Sequence, residues 1–471
     1  MSTCIAKPRD EATLSMPESS GPVTRRRLIR AGSWVGAGQL LGNALRLGSS
    51  LVMTRLLAPE AFGLFAIVTV VSVVLALLAD VGIRSAIITN ARGTSVDFLD
   101  TAWTVQIVRG VLVSAATLIV GVALSVAGRL GWFAPGTTFG DPLLPWLIAA
   151  SAASPVILGL QSTKLFLLER AFNMKAVSAV QLATQAFGVV VTVSVALIER
   201  SVWAIVVGMI CGNVAHVLLT HFALPGTRNR LRWDRDVLRE LLVFGRWVLL
   251  SSAISVFALN GDRLVLGGLI SADQLGIYSI AMSITSLALA FVMAVGSALA
   301  LPTLGDAARR NENQLRKSFA TMRRWMDRIL VCSAGVLFAT AAPIIHFLYD
   351  ERYSQAGEML AALSFGLAFS RVMLPQQVYM VLGRSKYLAI ISGVSVATLY
   401  VSLPASYFAG GLLAATYAIA LREVPAYLTV LVLNARHKLN DFRHELTVLA
   451  MWPIGWAAGS VVLKLMGLVR G

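Results

Sequence analysis

Seven arginines lie inside apolar segments of this chain, Arg46, Arg84, Arg109, Arg246, Arg263, Arg371 and Arg422, against only three acids, Asp80, Asp262 and Glu423. A guanidinium in hydrocarbon costs at least about 2.5–3.5 kcal/mol unless it meets water or a partner, so such residues mark wet or paired sites. Arginine grips phosphate through paired, charge-assisted hydrogen bonds that lysine does not reproduce, and a net positive interior suits an anionic cargo. Gln39, Asn43, Arg46 and Ser50 follow one another at steps of four, three and four, which gives a single polar stripe on an otherwise apolar helix. Gln39 and Asn43 fit a packing role as well as a cargo role. Asp80 and Arg84 are spaced as an acid-first helix pair. Arg371 and Arg422 fall near the middle of their segments beside Pro375 and Pro425, and prolines free backbone carbonyls that are tolerated where they line a wet cavity. The candidate substrate contacts are therefore Arg46, Arg109, Arg263, Arg371 and Arg422 with Gln39 and Asn43. Asp262, Glu423 and Asp80 are candidate carriers of a coupling proton or Na⁺, and each is equally placed to neutralise Arg263, Arg422 or Arg84.

The elements that hold these residues must be membrane helices. Of 471 residues 57% are hydrophobic and 14% charged, against about 45–50% and 25% in soluble domains. Apolar runs long enough to cross a hydrocarbon layer of about 30 Å recur thirteen times. The fold class expected is an all-α polytopic membrane protein of two six-helix bundles plus one further C-terminal helix. Its divisions are a polar, disordered cytoplasmic tail over 1–27, an N-lobe over 28–223, an inter-lobe linker over 224–239, a C-lobe over 240–434 and a C-terminal segment over 435–471. With the N-terminus in the cytoplasm, 27 of the 40 Lys and Arg fall on the cytoplasmic side and six opposite, as the positive-inside rule requires. The +16 charge thus needs no nucleic-acid partner. Cys4, Cys211 and Cys332 form no pair with metal or disulfide spacing, His216 and His221 read as ordinary interior residues, and no cofactor motif or catalytic constellation is present.

The halves repeat at an offset of 213 residues: Leu57-Ala58-Pro59-Glu60-Ala61-Phe62-Gly63 aligns with Ile270-Ser271-Ala272-Asp273-Gln274-Leu275-Gly276. Six helices separate equivalent positions, so the halves share one orientation and the pseudo-two-fold axis runs along the membrane normal. Thr54-Arg55-Leu56-Leu57-Ala58-Pro59-Glu60-Ala61-Phe62-Gly63, Leu78-Ala79-Asp80-Val81-Gly82, Thr101-Ala102-Trp103-Thr104-Val105-Gln106-Ile107-Val108-Arg109-Gly110 and Asn260-Gly261-Asp262-Arg263 resemble the polysaccharide transporters (Wzx-like oligosaccharide flippases, colanic-acid type) of the multidrug, oligosaccharidyl-lipid and polysaccharide exporter superfamily. The resemblance covers about residues 28 to 440, and the thirteenth helix departs from the family's even count. It implies a flippase of the bacterial cytoplasmic membrane that moves an undecaprenyl-diphosphate-linked oligosaccharide for exopolysaccharide, capsule or O-antigen synthesis. It implies no enzyme activity and no cofactor, and its partners would be the lipid-linked oligosaccharide, the membrane and a polysaccharide polymerase or assembly proteins. Two alternatives stand beside it: a cation-coupled multidrug exporter and a membrane scaffold of a polysaccharide assembly complex.

Overall fold

The structure is a computed structural model that describes residues 25–310, 312–436 and 442–465. The expected tail, up to residue 24, lies outside these, as does the side chain of Arg246. Among the described residues every regular element is a helix. The first half comprises α1 (Arg25–Leu56), α2 (Pro59–Leu78), α3 (Ile83–Thr89), α4 (Val96–Arg129), α5 (Leu144–Ser151), α6 (Ala153–Gly159), α7 (Lys164–Arg170), α8 (Met174–Ile198) and α9 (Trp203–Phe222). The second comprises α10 (Arg235–Gly267), α11 (Ala272–Arg310), α12 (Glu312–Leu348), α13 (Gln355–Phe369), α14 (Met373–Val381), α15 (Ser385–Leu421) and α16 (Glu423–Arg436), followed by α17 (Phe442–Leu449) and α18 (Met451–Leu465). Nine described helical segments are long and apolar enough to span a membrane, and α5–α7 add a tenth as a span bent by 63°. The segment running through α15 and α16 leaves helical geometry at Gly410 and Gly411, where Gly411 has φ +71°, so its 51 residues divide into two spans. α1 and α10 are long but carry more polar residues.

The repeat is visible in the contacts themselves. α2 and α11 begin at Pro59 and Ala272, 213 residues apart, and cross where Gly63 meets Gly276. A Cβ on Gly63 would collide with the Ala272 carbonyl, and one on Gly276 with the Pro59 carbonyl, so only two glycines allow the backbones to meet. The two helices start differently: Pro59 occupies the first turn of α2, where its missing N–H costs nothing, whereas Ser271 Oγ accepts from Gln274 N at 3.3 Å in α11. Each lobe also closes the other's turn. The Ile270 carbonyl accepts from Thr138 N and Oγ1 at 2.8 and 2.9 Å, and the Leu57 carbonyl accepts from the Tyr353 hydroxyl at 3.4 Å. Leu57 and Ile270 are themselves repeat equivalents. This turn end of the molecule is the tightest meeting of the lobes, and one apolar core runs through it.

At the opposite end, which bears the basic loops, the symmetry fails. The start of α10 lies on α3 and α4, with Val237 and Leu241 buried among Ile83, Ile87, Phe98 and Leu99. Its equivalent α1 turns instead onto α8, where Gly38 and Gly42 admit Ser178 and Gln185, and it scarcely touches α11. The stretch before α10 is strapped to α4: Arg230, Arg232 and Asp234 donate their backbone N–H to Asp100, Thr104 and Thr101 at 3.0, 3.0 and 3.3 Å. Asp234 then caps α10 by accepting from Asp236 N and Val237 N, and those bonds hold its carboxyl below the usual carboxylate range. Helix α10 starts at Arg235, inside the range expected for the linker. The α17–α18 segment packs on α12, with Gly335 against the Trp452 carbonyl and Gly455 against that of Cys332.

Candidate functional site

The asymmetry leaves a cavity of about 1170 Å³ between α1, α8 and α9, reaching Met293 of α11. Gln39, Asn43 and Arg46 of the α1 stripe line it, with Gln181 and Gln185 of α8 and Asn213 of α9. A smaller cavity of about 370 Å³ continues toward the turn end and is lined by Asn43, Arg46 and Ser50 from one lobe and Arg263, Ser283 and Tyr349 from the other. Arg46 and Arg263 thus come from opposite lobes onto a shared space, and among the described residues neither has an ion-pair partner. The stripe faces this space because Gly38 and Gly42, on the same helix, bring α1 against α8 and fix its rotation.

The other arginines whose side chains are described are committed elsewhere. Arg84 does not pair with Asp80, because the chain leaves the helix between them: Gly82 takes φ +67° and Asp80 Oδ1 accepts from its N–H at 3.0 Å. Arg84 instead grips Glu169 of α7 at 2.6 and 3.1 Å, an acid outside the three expected at membrane depth. Asp80 lies 3.7 Å from Arg109, whose Nη2 donates to the Ala76 carbonyl at 2.9 Å. Arg109 is one of several residues of the 101–110 motif that serve backbone. Gln106 Nε2 donates to the carbonyls of Gly159 and Gln161, both at 2.9 Å, and Trp103 Nε1 to that of Leu160 at 3.3 Å. These are carbonyls at the break between α6 and α7, satisfied as a bent span at membrane depth requires.

Arg371, expected in the cavity, is 3% exposed and stacks over the Tyr427 ring at 4.4 Å. It belongs to a buried network: its Nη1 lies 3.4 Å from Glu445, Arg323 also pairs with Glu445 and donates to the Tyr427 hydroxyl at 2.9 Å, and His444 Nε2 is 3.0 Å from Asp327. The positive-inside count of 27 includes Arg323 and Lys164 as cytoplasmic loop charges, but α12 begins at Glu312 and carries Arg323 inside. The i,i+4 spacing of Arg323 and Asp327 was the available signal. Lys164, counted with the same loops, is buried too and donates to the His221 and Leu224 carbonyls at 2.9 and 3.1 Å. Arg422 lies 3.4 Å from the adjacent Glu423, which accepts from Ser395 Oγ at 2.8 Å. Asp262 is buried, with Oδ2 accepting from the Tyr278 hydroxyl at 2.5 Å and Oδ1 without a hydrogen-bond partner among the described residues. His216 rests on Gln161 at 3.1 Å and His221 on the Leu160 carbonyl at 2.7 Å. Among the described residues no cluster of His, Cys, Asp and Glu has the form of a metal site.

Residues 52–358 match the model of the family described as polysaccharide biosynthesis protein, which is more than half of the chain. The chain belongs to that family. Among curated proteins, a polysaccharide biosynthesis relative is the amylovoran biosynthesis protein AmsL of Erwinia amylovora, 24% identical over 264 residues, or 55% of this chain and 65% of that one. Another is an uncharacterized membrane protein in the cps region of Klebsiella pneumoniae, 20% identical over 330 residues, or 69% of this chain and 65% of that one. The chain spans about 65% of the length of each. Among solved structures the fold is shared with the lipid II flippase MurJ in an inward closed conformation, at TM-score 0.68 and 13% identity, covering 92% of this chain and 99% of that one. It is shared too with an inward-facing multidrug resistance MATE transporter of the MOP superfamily, at TM-score 0.62 and 14% identity, covering 84% and 94%. This polysaccharide biosynthesis protein is therefore a multi-pass membrane protein with the two-lobed fold of that superfamily, and the Wzx-like resemblance of its motifs holds.

Proposed function

We propose that this protein moves an undecaprenyl-diphosphate-linked oligosaccharide across the bacterial cytoplasmic membrane, from a cytoplasmic side that bears the basic loops, by rocking of its two lobes. The observation that carries the reading is the pair Arg46 and Arg263, one guanidinium from each lobe facing one intramembrane space without an ion-pair partner among the described residues. A diphosphate between them gives both their missing partner and links the lobes, and closure at the turn end with the basic end open on the flank of α1 and α11 corresponds to the loading state of alternating access. The sparse contact of α1 with α11 leaves a flank through which a polyprenyl chain stays in lipid while its headgroup enters. A cationic drug is poorly matched: among the described residues the one acid on the larger cavity's wall is Glu169, already held by Arg84. Of the three acids considered as ion carriers, Asp262 is the best suited, since among the described residues its buried Oδ1 has no hydrogen-bond partner, whereas Asp80 and Glu423 are engaged by Arg109 and Arg422.

The test is transport of a fluorescent polyprenyl-diphosphate oligosaccharide in proteoliposomes. Each charged hydrogen bond is worth about 1.5–3 kcal/mol, so Arg46→Ala with Arg263→Ala should slow transport at least about tenfold with the protein still folded. An unchanged rate would remove the assignment. Asp262→Asn should abolish dependence on a proton or Na⁺ gradient, and gradient-driven transport that survives it would exclude Asp262 as the carrier.

A further inference from the structure

The wall facing Arg46 carries more hydrogen-bonding capacity than a diphosphate uses. Gln39 and Asn43 of α1, Gln181 of α8 and Asn213 of α9 all line the larger cavity, and among the described residues none of these four side-chain amides has a hydrogen-bond partner in the protein. Neighbouring amides of the same lobe behave otherwise. Gln185 donates to the Gly42 carbonyl at 2.8 Å, Gln161 meets His216, and Gln106 serves the break between α6 and α7. The fold therefore ties up amides that hold helices together and leaves four open toward one space. Each open amide offers two donors and one acceptor, a match for hydroxyl groups that both give and take hydrogen bonds. Left unpaired at membrane depth they are costly, so they must face water or a polar ligand.

Charge narrows the ligand. Among the described residues, the ionic groups on the walls of the two cavities are Arg46, Arg263 and the Arg84–Glu169 pair. Two guanidiniums without an ion-pair partner answer two phosphate groups, and among the described residues no further unpaired cation stands among the amides to receive a carboxylate, whose burial without a partner is strongly unfavourable. The volume of about 1170 Å³ exceeds the roughly 300–1,000 Å³ of ordinary small-molecule pockets and leaves room beyond a diphosphate. We propose that the amides of Gln39, Asn43, Gln181 and Asn213 form a sugar subsite selective for uncharged hydroxyls, so that the sugars of the carried oligosaccharide are neutral where they meet this wall. This inference rests on the lipid-carrier reading above and assigns its sugar-binding half.

Three probes separate the two claims, measured as affinities for the full chain in nanodiscs: a bare polyprenyl diphosphate, the same carrier with a neutral tetrasaccharide, and the same tetrasaccharide with one hexose oxidised to its uronic acid. The neutral glycolipid should bind at least tenfold more tightly than the bare carrier, and the uronic acid form should lose most of that gain. In Gln181→Leu with Asn213→Leu the ratio of neutral to bare affinity should fall to about one, with an unchanged thermal transition reporting the fold. Gln39→Leu with Asn43→Leu, on a separate helix, gives a second test should the first variant fail to fold. A neutral glycolipid that gains nothing over the bare carrier, a uronic acid form that binds as well or better, or a ratio that survives both variants overturns the subsite. Bare carrier binding that Arg46→Ala with Arg263→Ala abolishes would leave the carrier reading standing in any of those cases. Binding of none of the three lipids would end both.

Discussion

An arginine at membrane depth must find water, a carboxylate or a carbonyl, and those whose side chains are described divide by which they find. Arg84, Arg109 and Arg371 are held by Glu169, by Asp80 with the Ala76 carbonyl, and by Glu445. Arg46 and Arg263 reach open space. Removing a committed arginine should harm the fold, and removing an open one should harm the activity. Arg323→Met removes the guanidinium shared by Glu445 and Asp327, leaving Arg371 and His444 beside them, and should cost about 3–5 kcal/mol, the scale for breaking a buried pair; a melting temperature in detergent lowered by less than a degree would mean that the network does not depend on Arg323. Arg46→Ala should leave that temperature nearly unchanged while transport falls. The sequence announced the arginines but not their partners, because Glu169 is 85 residues from Arg84 and Glu445 is 74 from Arg371. Pairing across such distances is a property of packing.

At the scale of elements, helices are readable from apolar length, yet their breaks decide what they do. The 101–110 motif carries the family resemblance and one candidate contact, Arg109, yet it serves structure: Thr101, Trp103, Thr104, Gln106 and Arg109 each bind backbone of another segment. Gln106→Leu frees the carbonyls of Gly159 and Gln161 and should destabilise the protein by about 1–3 kcal/mol. Thermal unfolding of the purified variant checks this, and a wild-type midpoint would show that water replaces the amide. Gly411 stands at positive φ at the corner dividing α15, so Gly411→Ala should cost more than the about 0.4–1 kcal/mol such a change gains where the backbone permits it. The same melting assay would reveal a neutral effect if the corner can straighten. Continuity is harder to read than hydrophobicity: α10 extends through Arg235 and Arg239 because the Asp234 cap and burial of Val237 and Leu241 continue the helix beyond the apolar core.

For the whole molecule, the Gly63–Gly276 crossing and the reciprocal closure of Leu57 and Ile270 make the turn end a symmetric latch, while the basic end is open on one flank. Alternating access requires that latch to part. In a background lacking Cys4, Cys211 and Cys332, spin labels at Ala58 and Ser271 should report a short distance at rest and a longer population when the carrier lipid is added; a single unchanged distance during active transport would exclude lobe rocking. Gly63→Leu, which forces a side chain into the Ala272 carbonyl, should weaken the latch and shift the resting population to the longer distance. The chain's composition, its duplication at 213 residues and its polar stripe on α1 were enough by themselves to determine a membrane-embedded, two-lobed, all-helical protein with a polar interior, because hydropathy and periodicity act locally along the chain. Which arginines stay open, which amides are left unbonded, and at which end the lobes meet were decided only by tertiary structure, since each depends on groups from different helices competing for the same partners in a medium that offers no water to replace them.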